Sequence, residues 1–298
     1  MTASADTLEL FNDCRSDLGE GPWWDETSHH LMWLDLFEGK IHTLDLSGAC
    51  EAGAVRTIVT GQHIGVFALR ERGGLLVAAQ DGLGTADFAR DGFELRVPIN
   101  ATEPDMRSND GACDALGRLW FGTMAYDQTP GRGTVYRVDP DFSVTPILHG
   151  VTTSNGMGWS PDGRRFYHAD TGTGEIKVYD FDLAQGTIGN GRVIYTAPPS
   201  AGSPDGLTVD AEGDLWVAMW GGGAVLRLGD DGVLKETLAI PATYVTSVTF
   251  GGADLRDLFI TTARRPLSAA QLTAQPHAGS IFRCRPGVAG QRQYRFAG

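Results

Sequence analysis

A short apolar strand recurs six times along this chain, and its regular spacing limits the fold more than any other feature. The copies begin at intervals of 43 to 49 residues, and most follow an Asp/Gly-type turn. They are LMWLD from Leu31, LLVAAQ from Leu75, LWFGTM from Leu119, FYHAD from Phe166, LWVAMW from Leu215 and LFITTA from Leu258. Repeats of this period are typical of propeller blades, which bury their apolar faces by packing against one another.

Each copy is preceded by another short strand and usually followed by one or two more, such as GTVYRVD or AVLRLGD. Apolar and polar residues alternate in these segments with the period of a strand. The sequence therefore predicts an all-β protein, a six-bladed β-propeller of four-stranded antiparallel blades, as a single domain over residues 1–298. A pair of two-sheet sandwiches is the alternative, but it does not account for six evenly spaced copies.

The ring is predicted to close through the N-terminal segment, because TLELF at residues 7–11 could pair beside SIFRCRP of the last blade. The termini would then be neighbours. The best candidate for a helix is the stretch PLSAAQLTAQ, residues 266–275.

Composition excludes several classes of partner. The formal net charge of -13 argues against nucleic acid, whose phosphates require a basic surface. No apolar run has the length of a membrane span, and the first residues lack the pattern of a signal peptide. The four cysteines form no CxxC pair. We therefore expect a cytoplasmic protein with reduced thiols, without membrane attachment and without an obligatory protein partner.

The innermost strand of each blade begins at one end of the central channel, and its first residues form the mouth. Aligning the repeats on the glycine at this point, or on Ser247 in the last blade, places six residues at equivalent positions: Glu20, Ile64, Asp110, Asn155, Asp205 and Thr246. Four of them carry carboxylate or amide oxygens, which are ligands for hard cations. Asp-Gly and Asn-Gly are also ordinary turn dipeptides, and Asp110 could simply stabilise its loop. Their recurrence at equivalent positions favours a metal site.

Five stretches of the chain, taken in their order, resemble the SMP-30/gluconolactonase/luciferin-regenerating-enzyme family, which includes regucalcin and bacterial sugar lactonases. They are LGEGPWW, RSNDGACDALGRLWFGTM, TTSNGMGWSPDGRRFYHAD, SPDGLTVDAEGDLWVAMW and VTSVTFGG followed by LFITTAR. The resemblance covers nearly the whole chain. It implies a six-bladed propeller with one divalent cation in the central channel, which could be Ca²⁺, Mn²⁺, Mg²⁺, Zn²⁺ or Fe²⁺.

The resemblance also implies roles for particular residues. Glu20, Asn155 and Asp205 match the metal ligands, and Asp205 also matches the catalytic proton acceptor. Arg107 and Asn109 match the substrate-binding residues of the R-x-N-D-G motif. The family pattern therefore favours Asn109 over Asp110 as the residue that faces the site.

A departure from the family pattern follows GTMA, where regucalcin-like members carry an acidic pair. Here the residues are Tyr126 and Asp127. Asp127 matches the acidic position that contacts substrate, and Tyr126 offers a ring face and a hydroxyl. Both residues are predicted to bind substrate. The change leaves sugar preference open, and an ordinary surface loop is the alternative interpretation.

The activity implied by the resemblance is hydrolysis of aldonolactones such as glucono-, xylono- or arabinonolactone. Asp205 would either accept the proton of the attacking water or orient a hydroxide formed at the metal; the sequence leaves both open. Three other functions are considered. They are a non-catalytic calcium-binding propeller, a phosphotriesterase on the same fold, and a protein-interaction scaffold of the WD-repeat kind. The Arg107–Asn109 pair favours the lactonase over a simple ion binder, and the blades lack the Trp-Asp signature of the scaffold.

Overall fold

A computed structural model describes residues 8–48 and 53–298, apart from the side chain of Asp91. Its strands form six four-stranded antiparallel sheets arranged as the blades of a propeller, which confirms the predicted fold. The prediction of a single domain over residues 1–298 remains a prediction. Among residues 8–48 and 53–298, we find no helix with the length and apolar character that crossing a bilayer requires.

The first five blades are built from consecutive strands. Blade 1 contains β2 (Gly19–Asp25), β3 (His30–Asp35), β4 (Lys40–Asp45) and β5 (Arg56–Val59). Blade 2 contains β6 (Ile64–Leu69), β7 (Leu75–Ala79), β8 (Gly82–Asp87) and β9 (Arg90–Pro98). Blade 3 contains β10 (Met106–Cys113), β11 (Leu119–Ala125), β12 (Gly133–Val138) and β13 (Val144–Val151). Blade 4 contains β14 (Ser154–Trp159), β15 (Arg165–Asp170), β16 (Glu175–Asp182) and β17 (Thr187–Thr196). Blade 5 contains β18 (Ser203–Val209), β19 (Leu215–Trp220), β20 (Ala224–Leu228) and β21 (Leu234–Ala239).

The sixth blade joins the two ends of the chain. It contains β22 (Tyr244–Gly251), β23 (Asp257–Ala263) and β24 (Ile281–Cys284), with β1 (Glu9–Asn12) as its outermost strand. Strand β1 pairs antiparallel with β24, so the predicted closure is confirmed for its described part; Thr7 lies outside the described residues. The predicted helix is also present as α1 (Ala269–Ala274), which Ser268 and Gln271 cap reciprocally.

The repeated strand of the sequence is the second strand of every blade, and the turn before it follows from its residue types. In DALG and DAEG the glycines, Gly117 and Gly213, have φ angles of 72° and 94°, which side chains disfavour. The aspartate of the second turn, Asp210, accepts hydrogen bonds from two backbone N–H groups and from the indole of Trp216. A buried tryptophan thus finds a partner for its only polar atom within its own hairpin.

The innermost strands β2, β6, β10, β14, β18 and β22 contact one another in sequence and line the central channel. Apolar side chains between neighbouring blades form the core, with Trp33, Trp120 and Trp216 among the fully buried ones. Cys14, Cys113 and Cys284 are free thiols, as predicted. Cys50 lies outside the described residues.

The last ten residues cross the channel end opposite the predicted site and touch all six blades. Their backbone pairs with Ala211 of blade 5, Leu255 of blade 6, Leu69 of blade 2 and Gly117 of blade 3. The side chain of Gln291 donates to the carbonyl of Trp159 in blade 4, and that of Gln293 accepts from the backbone of Trp24 in blade 1. We call residues 289–298 the C-terminal strap. Its Phe296 is fully buried, so the strap is anchored by packing as well as by hydrogen bonds.

Candidate active site

The six innermost strands share an irregularity near the mouth of the channel. In each of them the pairing with the next strand shifts register, as in a β-bulge. The shifts lie between Glu20 and Trp23, Ile64 and Val66, Ser108 and Gly111, Ser154 and Met157, Pro204 and Leu207, and Val245 and Ser247. A bulge changes the direction in which a side chain points. The predicted metal ligands lie at these shifts, where strand alternation alone does not fix their direction.

The pairing of the innermost strands with their neighbours corrects the alignment of the six repeats that was made on their glycines. Asn109, Asn155 and Asp205 each directly follow the last paired residue before the shift. Asp110 lies one residue further along, so it is not equivalent to Asn155 and Asp205. The family pattern, which favours Asn109 at this position, agrees with the observed pairing.

Glycines beside these residues let neighbouring blades approach closely. A Cβ atom on Gly156 would lie 2.7 Å from the carbonyl oxygen of Asp205, and one on Gly206 would lie 2.2 Å from the hydroxyl of Ser247. No side chain fits at such distances. The glycines of S-N-G and P-D-G therefore bring the inner strands together, in addition to any role in turning the chain.

Three carboxylates lie close together, and none of them accepts a hydrogen bond from an arginine or lysine of the described residues. Glu20 and Asp205 are buried, and Asp110 is partly buried. Burial raises the pKa of Glu20, and the nearby charges of Asp205 and Asp110 raise it further. Burial and the charge of Asp110 raise the pKa of Asp205 in the same way. Burial also raises the pKa of Asp110 to about 7. The site therefore disfavours its own negative charge and favours a bound cation.

Asn155 offers an oxygen that the rest of the protein leaves free. Its amide nitrogen donates to Thr171 Oγ1 at 2.8 Å, and that hydroxyl donates to the carbonyl of Pro204 at 2.7 Å. These two hydrogen bonds fix which end of the amide faces the channel. The Oδ1 atom of Asn155 is buried, yet it accepts no hydrogen bond from the described residues. A buried acceptor without a donor is costly, and a cation would satisfy it.

These residues fit a hard divalent cation. Within residues 8–48 and 53–298, no group of three or more His, Cys, Asp or Glu side chains is arranged to hold a metal ion. A cation at this position would therefore use the amide oxygen of Asn155 and water in addition to the carboxylates of Glu20 and Asp205. Such an all-oxygen set suits Ca²⁺, Mg²⁺ or Mn²⁺.

Arg107 and Asn109 form a fixed pair beside the carboxylates. Arg107 Nη1 donates to Asn109 Oδ1 at 2.6 Å, and Asn109 Nδ2 donates to the carbonyl of Ser154 at 2.7 Å. The amide oxygen of Asn109 is thus already engaged, unlike that of Asn155. Burial lowers the pKa of Arg107 to about 10, while the charges of Glu20 and Asp205 oppose this shift. Arg107 Nε is buried and donates no hydrogen bond to the described residues.

Tyr126 and Asp127 take different places although they are adjacent. The ring of Tyr126 lies over the guanidinium of Arg107, at 5.7 Å from its carbon to the ring centroid. Asp127 is exposed, and its two carboxylate oxygens accept hydrogen bonds from the backbone and hydroxyl of Thr129. These bonds lower the pKa of Asp127. The structure thus places Tyr126 next to Arg107, whereas the hydrogen bonds of Asp127 stay within its own loop. Substrate binding by Asp127 remains a prediction.

The channel continues behind the carboxylates. A cavity of about 120 Å³ lies between the inner strands, with Asp110 in its wall and the C-terminal strap at its far end.

The protein is thus a six-bladed propeller whose inner strands bring carboxylate and amide oxygens to one end of the channel. The chain belongs to the SMP-30/gluconolactonase/LRE-like family, whose model matches residues 18–264. The match covers all six innermost strands and confirms the resemblance seen in the motifs.

Individual relatives extend over nearly the full chain. A 6-deoxy-6-sulfogluconolactonase of Pseudomonas putida is 36% identical over 295 residues, covering 98% of this chain and 99% of that protein. Regucalcin of Danio rerio is 33% identical over 288 residues, covering 95% and 96%. The crystal structure of a calcium-binding protein, regucalcin, from Agrobacterium tumefaciens superposes with a TM-score of 0.91 at 30% identity, covering 97% of both chains.

Proposed function

We propose that this protein is a metal-dependent lactone hydrolase that opens aldonolactones to the corresponding sugar acids. The observation that carries this proposal is the buried oxygen of Asn155, which accepts no hydrogen bond from the described residues, near the carboxylate of Asp205 and the fixed Arg107–Asn109 pair. The family membership and the relative named as a sulfogluconolactonase support it. A simple ion binder does not require a buried arginine with a free N–H at its ion site.

Glu20, Asn155 and Asp205 would hold the cation, whose charge would polarise the lactone carbonyl and lower the pKa of water. Arg107 would donate from Nε to a ring or hydroxyl oxygen and orient the lactone. Asp205 would either accept the proton of the attacking water or orient that water for attack on the carbonyl carbon. One water is consumed, the ester C–O bond breaks, and the ring oxygen leaves as the hydroxyl of the acid.

The direct test is an assay of metal-stripped protein on a panel of pentono- and hexonolactones, with each divalent cation added back singly. Hydrolysis that requires a cation supports the proposal. Cation binding without turnover of any lactone would instead support the calcium-binding alternative. Turnover of phosphotriesters but not of lactones would support the phosphotriesterase.

The stabilisation given by the cation is expected to grow with pH. The raised pKa values of Glu20, Asp205 and Asp110 mean that the metal-free folded state retains protons that the unfolded chain releases near pH 4. Their contribution to stability is therefore present in acid and is lost as pH rises, for Asp110 through about pH 7. A cation needs the deprotonated carboxylates and adds stability by mass action. The increase in Tm on adding Ca²⁺ to dialysed protein should be larger at pH 8 than at pH 5. An increase that is flat or falls with pH would contradict the assignment.

Arg107→Ala is expected to lower kcat/KM by about ten- to a hundred-fold, because a charged hydrogen bond to substrate is lost. The cation should remain bound at least as tightly, since the substitution removes a positive charge beside Glu20 and Asp205. Both effects are measured with the lactone assay and the Ca²⁺-induced change in Tm. Arg107→Lys is the matched control, which retains the charge but not the planar group. Loss of the Tm response in Arg107→Ala would show that the arginine supports the cation site instead.

A further inference from the structure

His63 precedes the innermost strand of blade 2 and lies at the mouth of the channel, where it contacts two aromatic rings. Its Nδ1 atom lies 2.5 Å from the hydroxyl of Tyr126, and the two ring centroids are 5.6 Å apart. The ring of Phe37 meets the imidazole edge-on at 5.1 Å. Three blades thus contribute one aromatic group each to a compact cluster.

This cluster is connected to the predicted substrate-binding pair. The guanidinium of Arg107 lies 5.7 Å from the ring centroid of Tyr126 and 5.5 Å from that of Phe37. The same guanidinium donates to Asn109. The contacts form a continuous path from His63 through Tyr126 and Arg107 to Asn109. A change in the position of the Tyr126 ring would alter the surface that Arg107 presents.

The imidazole retains one hydrogen-bonding atom for a ligand. Burial lowers the pKa of His63, and the charges of Arg107 and Arg265 lower it further. A neutral imidazole has one donor and one acceptor nitrogen. Nδ1 is engaged by Tyr126, whereas Nε2 makes no hydrogen bond to a side chain or backbone group of the described residues. His63 and Tyr126 are both partly exposed, so solvent or a ligand can reach them.

We propose that His63 and Tyr126 act as one specificity-determining unit of the lactone pocket, in which His63 holds the phenol in place over Arg107 and both polar groups contact hydroxyls of the substrate. This inference rests on the proposed lactonase function. A phenol held by a second side chain presents its hydroxyl in one orientation. A pocket built from fixed hydrogen-bonding groups discriminates against sugars that leave those groups unpaired.

A double-mutant cycle tests the coupling. His63→Ala and Tyr126→Phe are each expected to lower kcat/KM for the preferred lactone about five- to ten-fold, mainly by raising KM. The double variant should lose less than the product of the two single losses, because the two residues are coupled through their hydrogen bond. His63→Asn can place a polar atom near the position of Nδ1 and should restore the part of the loss that comes from positioning Tyr126. Multiplicative effects in the double variant, or no effect of His63→Ala, would overturn the proposal.

The control and a second measurement separate this inference from the proposed function. His149→Ala, an exposed histidine on β13, should leave kinetics unchanged. The ¹⁵N shifts of the His63 ring in wild-type protein and in Tyr126→Phe report the hydrogen bond without any assay of activity. A wild-type protein inactive on every lactone would refute the proposed function. Unchanged ¹⁵N shifts of the His63 ring in Tyr126→Phe would refute the His63–Tyr126 pair whether or not the protein is a lactonase.

Discussion

Glu20→Gln and Asp205→Asn should each lower lactone hydrolysis by roughly a thousand-fold or more, since a cation that polarises a carbonyl contributes several kcal/mol to lowering the barrier. Each substitution keeps the size of the side chain and removes one negative charge from the site. The assay compares turnover of both variants with that of wild-type protein at saturating cation. Turnover within ten-fold of wild type in either variant would remove that residue from the cation site.

The same substitutions should have the opposite effect on the stability of the metal-free protein. Burial and mutual repulsion disfavour the charges of Glu20 and Asp205, so a neutral amide relieves part of this cost. Metal-free variants should melt at or above metal-free wild type, and added cation should raise their Tm less. Glu94→Gln is the matched control, because Glu94 is an exposed carboxylate on β9. A variant that melts well below metal-free wild type would indicate a structural role for the carboxylate.

Phe296→Ala is expected to destabilise the protein by about 3–5 kcal/mol, the usual range for removing a fully buried phenylalanine. Deleting residues 289–298 should cost more, because every blade loses a contact. Thermal or urea unfolding measures both effects. Tyr294→Ala is the control within the strap, since Tyr294 is 41% exposed and its loss should change stability by less than about 0.5 kcal/mol. A Phe296→Ala protein as stable as wild type would show that the strap does not stabilise the ring.

The sequence predicted the architecture because its signals are local and repeated. Each DALG- or DAEG-type hairpin specifies its own turn, and six copies of one strand leave few alternatives to a propeller. Closure by β1 was also predictable, from the need to close a ring. The helix at residues 269–274 lies in the stretch that was the best helix candidate, although the helical periodicity of that stretch is weak.

The details of the site were less predictable, because they depend on register between strands. A bulge moves a side chain from one face of a strand to the other, and a glycine marks its place only approximately. For this reason the alignment on glycines selected Asp110, whereas pairing places Asn109 beside Asn155 and Asp205. The contact of His63 with Tyr126 joins residues 63 positions apart, and no local sequence pattern predicts it.

The C-terminal strap has a consequence for how this chain folds. Its contacts, and those of β1 with β24, join residues that are far apart in sequence, some by more than 260 positions. Contacts of such separation form late and slow folding, because a long loop must be closed before they contribute. During synthesis, blades 1 to 5 can pair their strands as each leaves the ribosome, but residues 289–298 emerge after all six blades. The strap can therefore stabilise the ring only after this segment has been synthesised. Until then, the apolar edges of the first and last blades are exposed and can contact other chains.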